Sequence, residues 1–135
     1  MDQHLILSLF HIFAVVPLFL YVALSRANTM AIFYPILLGL GAFIFVYHAY
    51  KAFIRYKTGS AALWVNLCHV LLVAPLLAYI GYYGKDTPRP AYELLALLSF
   101  SALGYHIYSL ILSTNVIMDG EMVHKKVVAQ TATSK

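Results

Sequence analysis

Apolar positions fill this chain in four long blocks, and the polar positions gather in the short gaps between them. None of the blocks alternates with the two-residue period of a half-buried strand. Each is about the 20 residues that a helix needs to cross a hydrocarbon core at 1.5 Å per residue. The pattern predicts membrane-spanning helices over Leu5–Leu24, Ile32–Ile54, Ala61–Tyr83 and Tyr92–Leu112. The gaps SRANTMA and GKDTPRP supply the glycine, proline and asparagine that interrupt helices. Pro17 and Pro75 fall inside the first and third blocks, where a missing N–H should kink the helix. Pro35 sits in the first turn of the second, where proline is tolerated. Beyond Met118 the pattern ends, and DGEMVHKKVVAQTATSK reads as a polar, flexible C-terminal tail over residues 119–135.

Composition makes the membrane class the only comfortable one. Hydrophobic residues are 62% of the chain and charged residues 10%, far too little polar surface for a soluble domain of this size. The segment before the first block, MDQH, has no lysine or arginine, so that block is expected to be a retained span and not a secretory signal. The single cysteine, Cys68, lies within a span and excludes an intrachain disulfide. Basic residues set an expected orientation. Lys51, Arg55, Lys57, Lys125, Lys126 and Lys135 share the side of both termini, against Arg26, Lys85 and Arg89 on the other, so the termini are expected to face the cytoplasm. The net charge of +4 then reads as topology and attraction to lipid headgroups. Nucleic acid is not an expected partner, because no basic patch is interleaved with exposed aromatics.

The polar and cyclic residues inside the blocks repeat. HIFAVVPLFLY, from His11 to Tyr21, returns as HVLLVAPLLAY, from His69 to Tyr79, an offset of 69 − 11 = 58. At that offset Pro17 meets Pro75, Thr29 meets Thr87, Tyr34 meets Tyr92, Tyr47 meets Tyr105, His48 meets His106 and Tyr50 meets Tyr108. Leucines match by accident in an apolar chain, but histidine, proline and tyrosine rarely do. The expectation is a duplicated helical hairpin, residues 5–54 and 63–112, folded within 1–118 as a four-helix bundle with pseudo-twofold symmetry about the membrane normal.

The histidines carry the candidate chemistry. His11 and His69 each lie six residues into their blocks, while His48 and His106 each lie six before the ends of theirs. All four are then expected about 9 Å below one interface. The residues sharing their faces are small or polar: Ser8 and Ala14 beside His11, Asn66 beside His69, Gly41 and Ala52 beside His48, Ser99 and Ala102 beside His106. Such faces meet other helices and not lipid, and ionisable groups within a span turn inward. The expected site is therefore a buried layer of His11, His48, His69 and His106.

Three functions suit that layer. The leading expectation is a membrane binding module in which the imidazoles ligate a haem b through a bis-histidine pair, or a divalent metal ion. A repeat-related pair, His11 with His69 or His48 with His106, would supply the axial ligands, and Lys51 and Arg55 would meet the propionates. The second is a structural membrane protein whose histidines are packing contacts between helices. The third is a proton or ion channel gated by histidine protonation, although no Asp or Glu lies deep in any span to form a relay. Enzymatic chemistry is not expected, since paired carboxylates, phosphate-binding loops and HExxH are missing and Cys68 and His69 point about 100° apart on a helix. Trp64, Tyr56, Tyr82 and Tyr83 fall at interface depth as an aromatic belt.

The second half contains H-x5-PLLAYIG, a charged turn, ELL and GYHIY. In these elements residues 63–112 resemble small multi-span membrane proteins predicted in large DNA viruses of algae and protists. The first half follows the pattern loosely, with Ala23 where the second has Gly81. The resemblance implies a viral or host membrane as the setting, with oligomerisation or capsid contact as the form of partnership. It transfers no functional residue.

Overall fold

The computed structural model describes residues 3–133, and among these the chain is helical with no strand. Four helices are long and apolar enough to cross a membrane: Leu5–Asn28, Phe33–Lys57, Leu63–Asp86 and Arg89–Met122, here spans one to four. They correspond to the four apolar blocks: spans one to three run three or four residues past the expected C-terminal ends, where the flanking turns stay helical, and span four begins three residues before Tyr92 and ends ten after Leu112. Spans one and three each close in a 3-10 turn, Arg26–Asn28 and Gly84–Asp86. The last helix does not stop at the end of the apolar pattern. It runs from Arg89 to Thr133, so the segment expected as a flexible tail is helical over most of its length. Nothing after Pro90 in that stretch removes a backbone donor, and a Glu121–Lys125 ion pair at i,i+4 spacing bridges one turn of it at 2.8 Å.

The chain divides into two compact units, one of residues 1–17 and 100–135 and one of residues 18–99. The second holds most of the core. Val22, Leu37, Leu77, Ile80, Tyr92, Leu95 and Ser99 are fully buried there. In each unit large apolar side chains are also exposed, among them Phe13 in the first and Phe43, Val46, Leu71 and Leu97 in the second. A helix apolar on its outer face has hydrocarbon for solvent, so the exterior is suited to a lipid bilayer.

Within this second unit, spans two and three touch backbone to backbone. A Cβ placed on Gly41 would lie 2.8 Å from the Ala78 nitrogen and 2.9 Å from the Ala74 oxygen. One placed on Gly81 would meet the Leu38 nitrogen and lie 2.7 Å from the Tyr34 oxygen. Lipid offers no hydrophobic drive for helices to associate, so close approach over small residues supplies it through dispersion and packing.

The two prolines act through the turn that precedes them. His11–Val15 and His69–Val73 are π-helical, with the Val16 N–H bonded to the His11 carbonyl and the Ala74 N–H to the His69 carbonyl. A proline ring clashes with the carbonyl four residues back, and widening the turn by one residue relieves that clash.

The turns after spans one and three are built alike. Thr29 N–H donates to the Arg26 carbonyl at 3.0 Å, and Thr87 N–H to the Gly84 carbonyl at 3.1 Å. Thr29 Oγ1 donates to the Val22 carbonyl at 3.4 Å and Thr87 Oγ1 to that of Ile80 at 3.5 Å. Tyr34 Oη reaches the Arg26 carbonyl at 3.4 Å, and Tyr92 Oη the Gly84 carbonyl at 3.1 Å. One difference stands out: Gly84 takes φ 58° at no steric cost, whereas Arg26 takes φ 51° with a full side chain.

Candidate functional site

The four histidines of the sequence analysis form two stacked pairs, one in each unit. In the unit of residues 18–99, the rings of His48 and His69 lie 4.0 Å apart between centroids and 9° from parallel. In the unit of residues 1–17 and 100–135, His11 and His106 are 4.2 Å apart and 23° from parallel. The contacts are thus between histidines that do not correspond in the 58-residue repeat, span two with span three and span one with span four. The expectation of axial partners taken from equivalent positions did not anticipate this, because hydrophobic patterning does not say which spans become neighbours.

Each pair is held by hydrogen bonds to its own helices. His11 Nδ1 donates to the Leu7 carbonyl at 2.8 Å and His69 Nδ1 to the Val65 carbonyl at 2.7 Å. A carbonyl can only accept, so both Nδ1 atoms carry a proton, and in the neutral ring the lone pair is then on Nε2. His48 Nδ1 lies 2.9 Å from Asn66 Oδ1, and this bond joins spans two and three. Asn66 is almost wholly buried, and its Nδ2 has no hydrogen-bond partner among the described residues. His106 is buried, whereas His11, His48 and His69 are half-buried. Tyrosine edges flank two of the rings: Tyr47 meets His48 at 5.1 Å and 87°, and Tyr105 meets His106 at 5.2 Å and 80°.

The stacking distance limits what the pairs can hold as they stand. Two imidazoles on one iron point at it end-on from opposite faces of the porphyrin. Rings whose centroids are 4.0 and 4.2 Å apart are in van der Waals contact face to face, with no room for a further plane between them. A single ion is also badly served, because lone pairs of parallel rings run side by side and do not converge. No group of three or more His, Cys, Asp or Glu is placed to hold a metal among the described residues.

The basic candidates fall near span ends. Arg55 Nη1 donates to the Ala62 carbonyl at 3.0 Å, across the turn that joins spans two and three. Lys51 is half-buried one turn deeper in span two. Asn66 was visible in the sequence only as a polar neighbour on the His69 face; its reach to His48 needed the packing of spans two and three. The π turns and the left-handed Arg26 left no signal beyond the two prolines and the arginine-for-glycine exchange.

No family model, no curated protein and no solved structure matches this chain.

Proposed function

We propose that this is a structural integral membrane protein whose spans are pinned to one another by paired imidazoles. The observation that carries the reading is the His48–His69 stack at 4.0 Å together with the 2.9 Å bond from His48 Nδ1 to Asn66 Oδ1. Face-to-face stacking at that distance suits neutral rings, since two imidazolium cations would repel in a low-dielectric span. A polar bond between spans supplies the adhesion that apolar contact cannot supply in lipid. The recurrence of the threonine and tyrosine turn bonds and of the π turns at the same offset supports an origin by duplication of a hairpin, with pseudo-twofold symmetry. The basic residues around Lys51, Arg55 and Lys57 support termini on the cytoplasmic side. A viral internal membrane as the setting rests on the resemblance of residues 63–112.

A second reading, haem or metal binding by His11, His48, His69 and His106, is favoured by one feature. The Nδ1–H to carbonyl bonds of His11 and His69 are the kind of outer contact that fixes a ligating histidine with its lone pair on Nε2. That reading requires each stack to part when the group enters.

Purification in mild detergent separates the two. The structural reading expects a colourless protein whose unfolding temperature is unchanged by chelator or added hemin, and whose stability falls in His48→Ala and His69→Ala. A Soret band, or bound metal, that is lost in those variants overturns it in favour of ligation.

A further inference from the structure

The turns that close spans one and three flank an open cleft of about 460 Å³, lined by Ala27, Thr29, Tyr34, Tyr83, Lys85 and Asp86 among others. It lies wholly in the unit of residues 18–99, at the ends of two candidate spans, which is headgroup depth for a bilayer-crossing helix. Its volume falls in the range of about 300–1,000 Å³ usual for small-molecule sites.

Two features give the cleft a chemistry. Lys85 and Asp86 are adjacent, exposed, and in no ion pair among the described residues. A bare anion would be repelled by Asp86 and a bare cation by Lys85, but a ligand carrying both charges a few ångströms apart satisfies both. Aromatic surface supplies the rest. Tyr83 is half-exposed and braced by Tyr79 at 4.6 Å and Tyr82 at 5.2 Å between ring centroids. A fixed ring next to a carboxylate is a receptacle for an organic ammonium. The walls are also fastened, because the Tyr34 and Tyr92 hydroxyls hold the Arg26 and Gly84 carbonyls at 3.4 and 3.1 Å. Pre-formed walls reduce the ordering cost of binding.

From this juxtaposition we infer that the cleft between the two turns binds the headgroup of a zwitterionic phospholipid. The phosphate is met by Lys85, and the ammonium lies against Tyr83 with Asp86 beside it. The bilayer itself supplies the ligand. The inference requires only that these helices span a membrane and is independent of what the histidines do.

The test is amide NMR of the full chain in maltoside micelles, titrated with dihexanoylphosphatidylcholine below its own micelle threshold. Parallel titrations use free phosphocholine, inorganic phosphate and dihexanoylphosphatidylglycerol. The expected result is a saturable shift of the Thr29, Gly84, Lys85 and Asp86 amides with the short-chain zwitterionic lipid, while Gly39 and Gly104 stay still. Lys85→Ala and Asp86→Asn should each weaken apparent affinity about tenfold, and Ala27→Phe, at an exposed lining position, should abolish the response by filling the cleft. A response unchanged by these variants overturns the assignment. So does an equal response to phosphatidylglycerol or inorganic phosphate, which marks a plain anion site, an equal response to free phosphocholine, which marks a soluble ligand, or no saturable shift at all.

Discussion

Asn66 reaches across from span three to His48 on span two, its amide oxygen 2.9 Å from the ring Nδ1. This side-chain to side-chain hydrogen bond links two spans, and it sits against the stacked His48–His69 rings. Removing the acceptor leaves a donor without its partner in a poorly hydrated layer. Asn66→Ala should cost about 1–2 kcal/mol, moderated because the unpartnered Nδ2 leaves with it. A double-mutant cycle with His48→Ala, followed by thermal unfolding in detergent, should return a coupling of about 0.6–1.7 kcal/mol. Additive effects of the two changes would remove this bond from the account of stability.

The backbone contact of spans two and three makes a sharper demand. Gly41→Ala and Gly81→Ala place a methyl against the backbone atoms of the facing helix, where neither neighbour can swing aside. Each should lower stability by about 1–3 kcal/mol. Gly39→Ala adds a methyl with nothing within 4 Å, and should be neutral or mildly stabilising through helix propensity. If the three variants unfold at the same temperature, the close approach of the two helices is wrong.

Arg26 and Gly84 occupy corresponding turns with φ 51° and 58°. A side chain in the left-handed region costs about 1–2 kcal/mol, so Arg26→Gly should raise stability by about 1 kcal/mol. Gly84→Ala should lower it by a similar amount. Thermal unfolding of both variants in one detergent checks the signs, which must be opposite.

Pro17→Ala and Pro75→Ala restore the missing amide and remove the ring clash. Each should return its preceding turn to α geometry, with the Val16 or Ala74 N–H leaving the carbonyl it now shares with the π turn. Amide and carbonyl shifts of His11–Val15 and His69–Val73 should move toward ordinary helical values. If the wide turns persist in both variants, proline is not their cause.

Much of the fold could be read in the sequence because lipid imposes a long, unmixed apolar run on every helix that crosses it. Leu5, Phe33, Leu63 and Arg89 open the spans within a few residues of the expected positions. Helix faces were legible locally: Asn66 beside His69 and Gly41 near His48 are both contact residues between spans two and three. The pairing of the histidines was hidden, since it depends on which helices become neighbours, and outward apolar residues carry no record of that. The extent of the last helix was hidden for the opposite reason. Polarity beyond Met118 marks the end of the membrane run but not the end of the helix, which continues to Thr133 with no proline to interrupt it.

The widened turns before Pro17 and Pro75 also reset the angular phase of their helices. One additional residue in a turn advances everything beyond it by about 100°. A helical wheel drawn straight through either proline therefore assigns the wrong side chains to lipid on one half of the span. An alanine or cysteine scan of spans one and three will show two separate accessibility periods, offset from one another, with the break falling between each histidine and the proline that follows it.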